Sequence, residues 1–356
     1  QFTRDLPSTL FYLTRLSIHP EKKALIAEAR AVIKAKVEQV KRGESPDWYV
    51  TQKGAARKLT AISATQAVEH WRKTDQPLRY VYIDSLDLTN IKSKDRAETS
   101  EQVVDAVIKY QGRIRCMRCV IGSFRASSLI FDDPEHEVQF SRTVFVDKAD
   151  FGKTFVRRKK QKILGDRAAE FRRLYLNWSV FLGDANFHSV KVHGKGAKAY
   201  LPLTTFFGSI DLRNVQVDGV LEMRYLQSAQ TLQMQRAKLH GSAYLGHVRA
   251  RRANLSHLEV TKHELLLNSV VIEDEFQMEN AHLRHGATFE HAQFNGLVTM
   301  RNGHIERSTN LSRASFKRSL IFENMSVENL VALGVSFEDT ARFNGSVFKG
   351  RTAFAL

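Results

Sequence analysis

Residues 287–296 read Ala287-Thr288-Phe289-Glu290-His291-Ala292-Gln293-Phe294-Asn295-Gly296, two successive five-residue units that each set a small residue two positions ahead of a phenylalanine. In a short strand, residues i and i−2 point to the same side. Ala287 with Phe289, and Ala292 with Phe294, therefore pair a small and a large side chain toward one interior. Asn295-Gly296 then supplies turn formers. The same arrangement returns in Ala314-x-Phe316, Ala341-x-Phe343 and Ser346-x-Phe348.

Working outward, the apolar residues fall on a regular ruler: Leu255, Val260, Leu267, Ile272, Met278, Leu283, Phe289, Phe294, Met300, Ile305, Leu311, Phe316, Phe322 and Val327. After one seven-residue slip between Val260 and Leu267, the spacing alternates five and six, and it resumes with Phe337, Phe343, Phe348 and Phe354. An α-helix repeats at 3.6 residues and a two-faced strand at 2, so neither produces this beat. A chain that turns a corner every five or six residues does. Four such sides close a coil of about 22 residues, which is a solenoid period. Leu201, Phe206, Leu212 and Val217 keep the beat upstream, and Phe124, Leu129, Phe140, Phe145 and Phe151 suggest still earlier coils.

The units resemble the pentapeptide-repeat family. Ala287 to Gly296 gives two consecutive matches to its pattern, and Ala341 to Gly350 gives two more. The resemblance covers roughly 112–356 with gaps. Six-residue spacers, and Met, Ile or Val at central positions, depart from the strict pattern. It implies a mainly β fold, a right-handed quadrilateral parallel β-helix. A bactofilin-like β-helix is the nearest alternative, and the Ala-x-Phe pairs favour the pentapeptide reading.

Residues 1–110 read as a small, mainly helical domain abutting and capping the first coil. Leu25, Ile26, Ala29, Val32, Ile33 and Val37 form a stripe at helical spacing between Pro20 and the Gly43–Pro46 stop. A second helix is expected from Ala55 to Trp71, a strand at Tyr80–Ile83 and a last helix from Glu101 to Tyr110. Within the β-helix of 111–356, Leu164, Ala168, Phe171, Tyr175 and Trp178 recur at roughly helical steps, so a basic helical insert is expected at about 157–178.

The net charge is +16, and residues 151–200 alone carry an excess of nine positive charges. This is a local basic patch. Its candidate partner- or anion-binding residues are Arg157, Arg158, Lys159, Lys160, Lys162, Arg172 and Arg173. No run of eighteen apolar residues occurs, so no membrane-spanning helix is expected. Two cysteines make no disulfide framework, and a reducing, cytoplasmic setting of bacterial type is the simplest expectation.

Signals for chemistry are weak. Cys116-x-x-Cys119 has no second pair to complete a zinc site and no βαβ context, so both cysteines are expected to be buried repeat positions. His282, His285 and His291 lie close together, with His263 and His304 about one coil away. Solvated histidines are the expectation, and no metal or cofactor is expected. Gly194-Lys195-Gly196 lacks the rest of a phosphate loop, and Asp184 with His188 has no companion nucleophile. The chain reads as a non-enzymatic scaffold, adaptor or inhibitor docking on another protein through its solenoid face. The alternatives are nucleic acid or an anionic membrane surface bound through the basic insert, or the binding domain of a secreted effector. Some pentapeptide-repeat proteins imitate DNA with an acidic rod; the near-neutral to basic repeat here excludes that role. The apolar end Thr352-Ala353-Phe354-Ala355-Leu356 suggests a homodimer through the C-terminal coil.

Overall fold

The computed structural model describes residues 23–50, 56–74, 76–90, 108–109, 113–127, 129–130, 137–152, 155–158, 161–164 and 168–355. The chain is a parallel β-solenoid of about 11 turns. Four columns of short strands run along it, and each strand pairs in parallel with the one a coil earlier. In the regular part, Gln227, Arg249, Val271, Gln293 and Ser315 are successive register partners, 22 residues apart. These lie on face one, as do Val180-Phe181 and Thr205-Phe206. Face two stacks Ala185, Ile210, Leu232 and Ala253. Face three stacks Val217, Leu239, Val260 and Leu283, and face four stacks Leu174, Ala199, Leu221, Ala243 and Leu265.

The ruler residues are the core. All fourteen from Leu255 to Val327 are buried, as are Ala287, Ala292 and Ala314. Phe343 and Phe348 are half-buried, packed against the core near the end of the stack. There Leu333, Val347 and Phe354 are exposed. The seven-residue step from Val260 to Leu267 falls in the corner between faces three and four, where it lengthens the turn without moving Val260 or Leu265 out of register.

From Trp178 to Asn324, two corners of each coil use left-handed backbone. Between faces two and three the positive-φ residue is Ser189, Asn214, Arg236, His257, Asn280, Asn302 and Asn324 in successive coils. Asn recurs because its short polar side chain tolerates this conformation. At the opposite corner, between faces four and one, the positions are Trp178, Leu203, Tyr225, His247, Ser269, His291 and Arg313.

Two α-helices among the described residues flank the first coils: α1, Lys23–Lys41, and α2, Ala64–Lys73. The apolar stripe of α1 buries Ile33, Val37 and Val40 against Tyr82, Val120, Val144, Val180, Leu182 and Phe207, on the outside of face one. Arg30 anchors it, its Nη2 donating to the Leu182 carbonyl at 2.9 Å. Ser63 and Gln66 form a capping box that starts α2 at Ala64, nine residues after the expected Ala55. Ala67, Val68 and Trp71 of α2 join the interior cluster. The parallel ladder begins at Thr60-Ala61 and Val81–Asp87, ahead of residue 111. The expected helix at Glu101–Tyr110 lies largely outside the described residues, of which Ile108–Lys109 are strand. No helix among the described residues is long and apolar enough to cross a membrane.

The helical insert expected at 157–178 is corrected. Phe155–Arg158 and Gln161–Leu164 pair as an antiparallel hairpin, and Glu170–Phe171 and Arg173–Tyr175 are ladder strands. The physical reason lies in the beat. Phe171, Leu176, Phe181, Phe187 and Val192, at steps of five and six, are all buried. Tyr175 and Trp178, which completed the apparent helical stripe, are only half-buried.

Candidate binding surface

The five expected basic residues that lie among the described residues do not share one place. The hairpin carrying Arg157, Arg158 and Lys162 leaves the solenoid between Ala149-Asp150 of face two and Glu170-Phe171 of face three. Lys159 and Lys160 lie outside the described residues. Arg172 and Arg173 instead sit where face three passes to face four, with Arg172 Nε donating to the Lys195 carbonyl at 2.7 Å.

Arg173 opens a surface that the charge run did not reveal. Register partners on face four place Tyr175 beside Tyr200, with ring centroids 5.7 Å apart, and continue through Glu222 to Tyr244. Lys198, the register partner of Arg173, lies 4.3 Å from the Tyr200 ring centroid. At the adjoining left-handed corner, Arg142 lies over Trp178 at 5.6 Å, and Tyr225 stacks on His247 at 4.5 Å with planes 4° apart. Arg224 adds a cation to the face-four row, 2.8 Å from Glu222 and 5.4 Å from the Tyr244 ring centroid. Burial raises the Tyr175 phenol above its ordinary pKa, despite the opposing effect of Arg173, so it stays a neutral donor. Tyr225 is 43% exposed. The result is a strip of Tyr, Trp, His, Arg and Lys along several coils. The signal that finds it is the 22-residue ruler applied to surface residues: Tyr200, Glu222 and Tyr244 in one row, and Leu203, Tyr225 and His247 in the next.

The other expected sites fall apart or change character. Cys116 and Cys119 are both fully buried, and burial followed by the neighbouring Cys119 pushes the Cys116 thiol well up, which disfavours the thiolate that redox chemistry needs. Asp184 accepts from the Ser209 amide at 2.8 Å, while His188 Nε2 meets the Asn214 side chain at 2.9 Å. Gly194-Lys195-Gly196 is an exposed turn with both glycines at positive φ. Of the histidines, His282 and His304 are register partners, and His291 Nε2 lies 3.4 Å from Arg313. Glu306, hydrogen-bonded by His282 and close to His304 and Arg284, is held below the ordinary carboxylate range.

No family model matches the chain, and neither a curated protein nor a solved structure matches it significantly.

Proposed function

We propose that the protein is a non-enzymatic docking scaffold of right-handed, pentapeptide-repeat type, binding an acidic protein surface along the face-four strip. The carrying observation is the composition and layout of that strip. Tyr, Trp and Arg are the residues in which interface hot spots are enriched. Here Tyr175, Trp178, Tyr200, Tyr225 and Tyr244 are interleaved with Arg142, Arg173, Lys198 and Arg224. A rigid solenoid holds them in place before the partner arrives, which lowers the ordering cost of association.

Aromatic rings among cations also suit single-stranded nucleic acid, whose bases stack while phosphates pair with Arg and Lys. One experiment separates the readings. The full chain and a Tyr200→Ala/Tyr225→Ala variant are used as bait in cell lysate, with and without nuclease. Protein capture that survives nuclease and is lost in the variant supports docking. Capture abolished by nuclease, with oligonucleotide affinity falling steeply with salt, replaces docking by nucleic-acid binding. Nuclease-resistant capture that is unchanged in the variant removes the strip from the function.

A further inference from the structure

Face three carries a second cluster, separate from the strip. His282 and His304 are register partners in adjacent strands, and Glu306 follows His304 by two residues in the strand His304–Asn310. Ile305 between them is fully buried, whereas His304 and Glu306 are half-buried and His282 is exposed. Strand alternation therefore sends all three side chains outward on one side of the ladder. His282 Nε2 lies 3.1 Å from Glu306 Oε1, and His304 Nε2 lies 3.8 Å from the same oxygen. One ligand atom from each of the three residues lies within 4.8 Å of the other two.

That spacing nearly fits a metal. Metal–ligand distances of about 2.0–2.1 Å in a tetrahedral zinc centre put ligand atoms about 3.3 Å apart. The carboxylate–imidazole distances already bracket this value, and rotation of exposed side chains can close the histidine pair without moving the backbone. The repeat produces the pairing: parallel strands lie about 4.8 Å apart, so outward residues one coil apart are neighbours. Arg284, a positive neighbour of Glu306, opposes cation binding. The two imidazoles and the carboxylate nevertheless supply three donors from two coils.

We propose that His282, His304 and Glu306 bind a divalent first-row transition ion of the zinc type. Two imidazole nitrogens and one carboxylate oxygen favour Zn2+, Ni2+ or Cu2+ over the all-oxygen cations Ca2+ and Mg2+. Three protein ligands leave a fourth position for water or for an incoming carboxylate or imidazole. The ion bridges two successive coils.

The test is calorimetric titration of the full chain with Zn2+ in excess Mg2+, alongside Co2+ titration followed by visible absorption. The expected result is one saturable site with the intense absorption of four-coordinate Co2+. His304→Ala should weaken Zn2+ binding by about ten-fold or more, at least the loss seen when a supporting residue of a metal site is removed. Glu306→Gln should weaken it as well, whereas His193→Ala, on the same face but four coils away, should not. Unchanged circular dichroism in each variant separates ligand loss from misfolding. Absence of saturable binding in the parent chain, or equal affinity in His304→Ala, overturns the site. A Zn2+-dependent rise in melting temperature, reversed by a chelator and missing from His304→Ala, supports it independently.

Discussion

Phe294 and Phe316 lie one coil apart with ring centroids 5.1 Å from each other and planes 15° from parallel, and Phe337 extends the stack at 5.2 Å from Phe316. The rings are carried by consecutive register partners on face one, so the ladder itself sets their separation. Phe316→Ala should cost about 3–5 kcal/mol, because it removes a fully buried ring between two others. Phe348→Ala, at a half-buried position near the end of the stack, should cost less. Urea denaturation of the two variants checks the order, and equal losses would contradict the interior stack.

The ruler made this stack legible, because each central residue has one inward role and the coil length barely varies. It failed where two periods coincided. Phe171, Tyr175 and Trp178 mimic a helical stripe, yet Leu174 and Leu176, not Tyr175, turn inward. The hairpin at 155–164 lengthens its coil and hides the beat there. The surface strip shows only when the 22-residue ruler is extended from the inward to the outward positions. Its members are far apart in sequence, and only register brings Tyr175 to Tyr200 or Tyr225 to His247. The charge run drew attention to Arg157 and Arg158, at a corner away from that strip.

Gly241 shows how tightly the coils are wound. A Cβ at Gly241 would lie 1.8 Å from the carbonyl oxygen of Gly219, one coil earlier, and a Cβ at Gly219 would lie 1.9 Å from that of Ala197. Backbone stands in the way at both positions, so no side-chain rotation can relieve the clash. Gly241→Ala should destabilise by about 1–3 kcal/mol or more, as for an overpacked core. Gly194→Ala is a control of different kind. It meets nothing within 4 Å but has φ +93°, so it carries only conformational strain. Thermal melts should show the larger loss for Gly241→Ala.

Tyr82, buried under α1, donates its hydroxyl to Asp84 at 2.5 Å, and Lys41 of α1 lies 3.6 Å from the same carboxylate. Burial first, then Asp84, raises the Tyr82 pKa far above its ordinary value near 10. The folded state therefore holds this proton more tightly than the unfolded chain does. The associated stability is complete below about pH 10 and is lost as pH rises above it. Tyr82→Phe removes the titrating group. Between pH 9 and 11 its stability should fall less than that of the parent chain, as read from paired urea titrations. Parallel curves would show that this phenol does not report on folding.

The hairpin leaves the solenoid between faces two and three, whereas the strip lies on face four, which makes their charges separable. Arg157 and Arg158 lie on the hairpin between faces two and three, whereas Arg173 and Lys198 are register partners on face four. Isolated surface charges contribute about 0–1 kcal/mol. Arg173→Gln/Lys198→Gln should therefore melt close to the parent temperature, and Arg157→Gln/Arg158→Gln is compared with it at the same temperature. Binding should divide them. If the strip is the docking surface, the Arg173/Lys198 pair of substitutions weakens capture of the acidic partner, while the hairpin substitutions alter mainly the association rate at low salt. Lys198 also covers the Tyr200 ring, so its loss removes a cation–π contact of roughly 0.5–1 kcal/mol together with the charge. Surface plasmon resonance at two salt concentrations reads both effects. A hairpin variant that loses affinity while the strip variant retains it would move the docking surface to the corner between faces two and three.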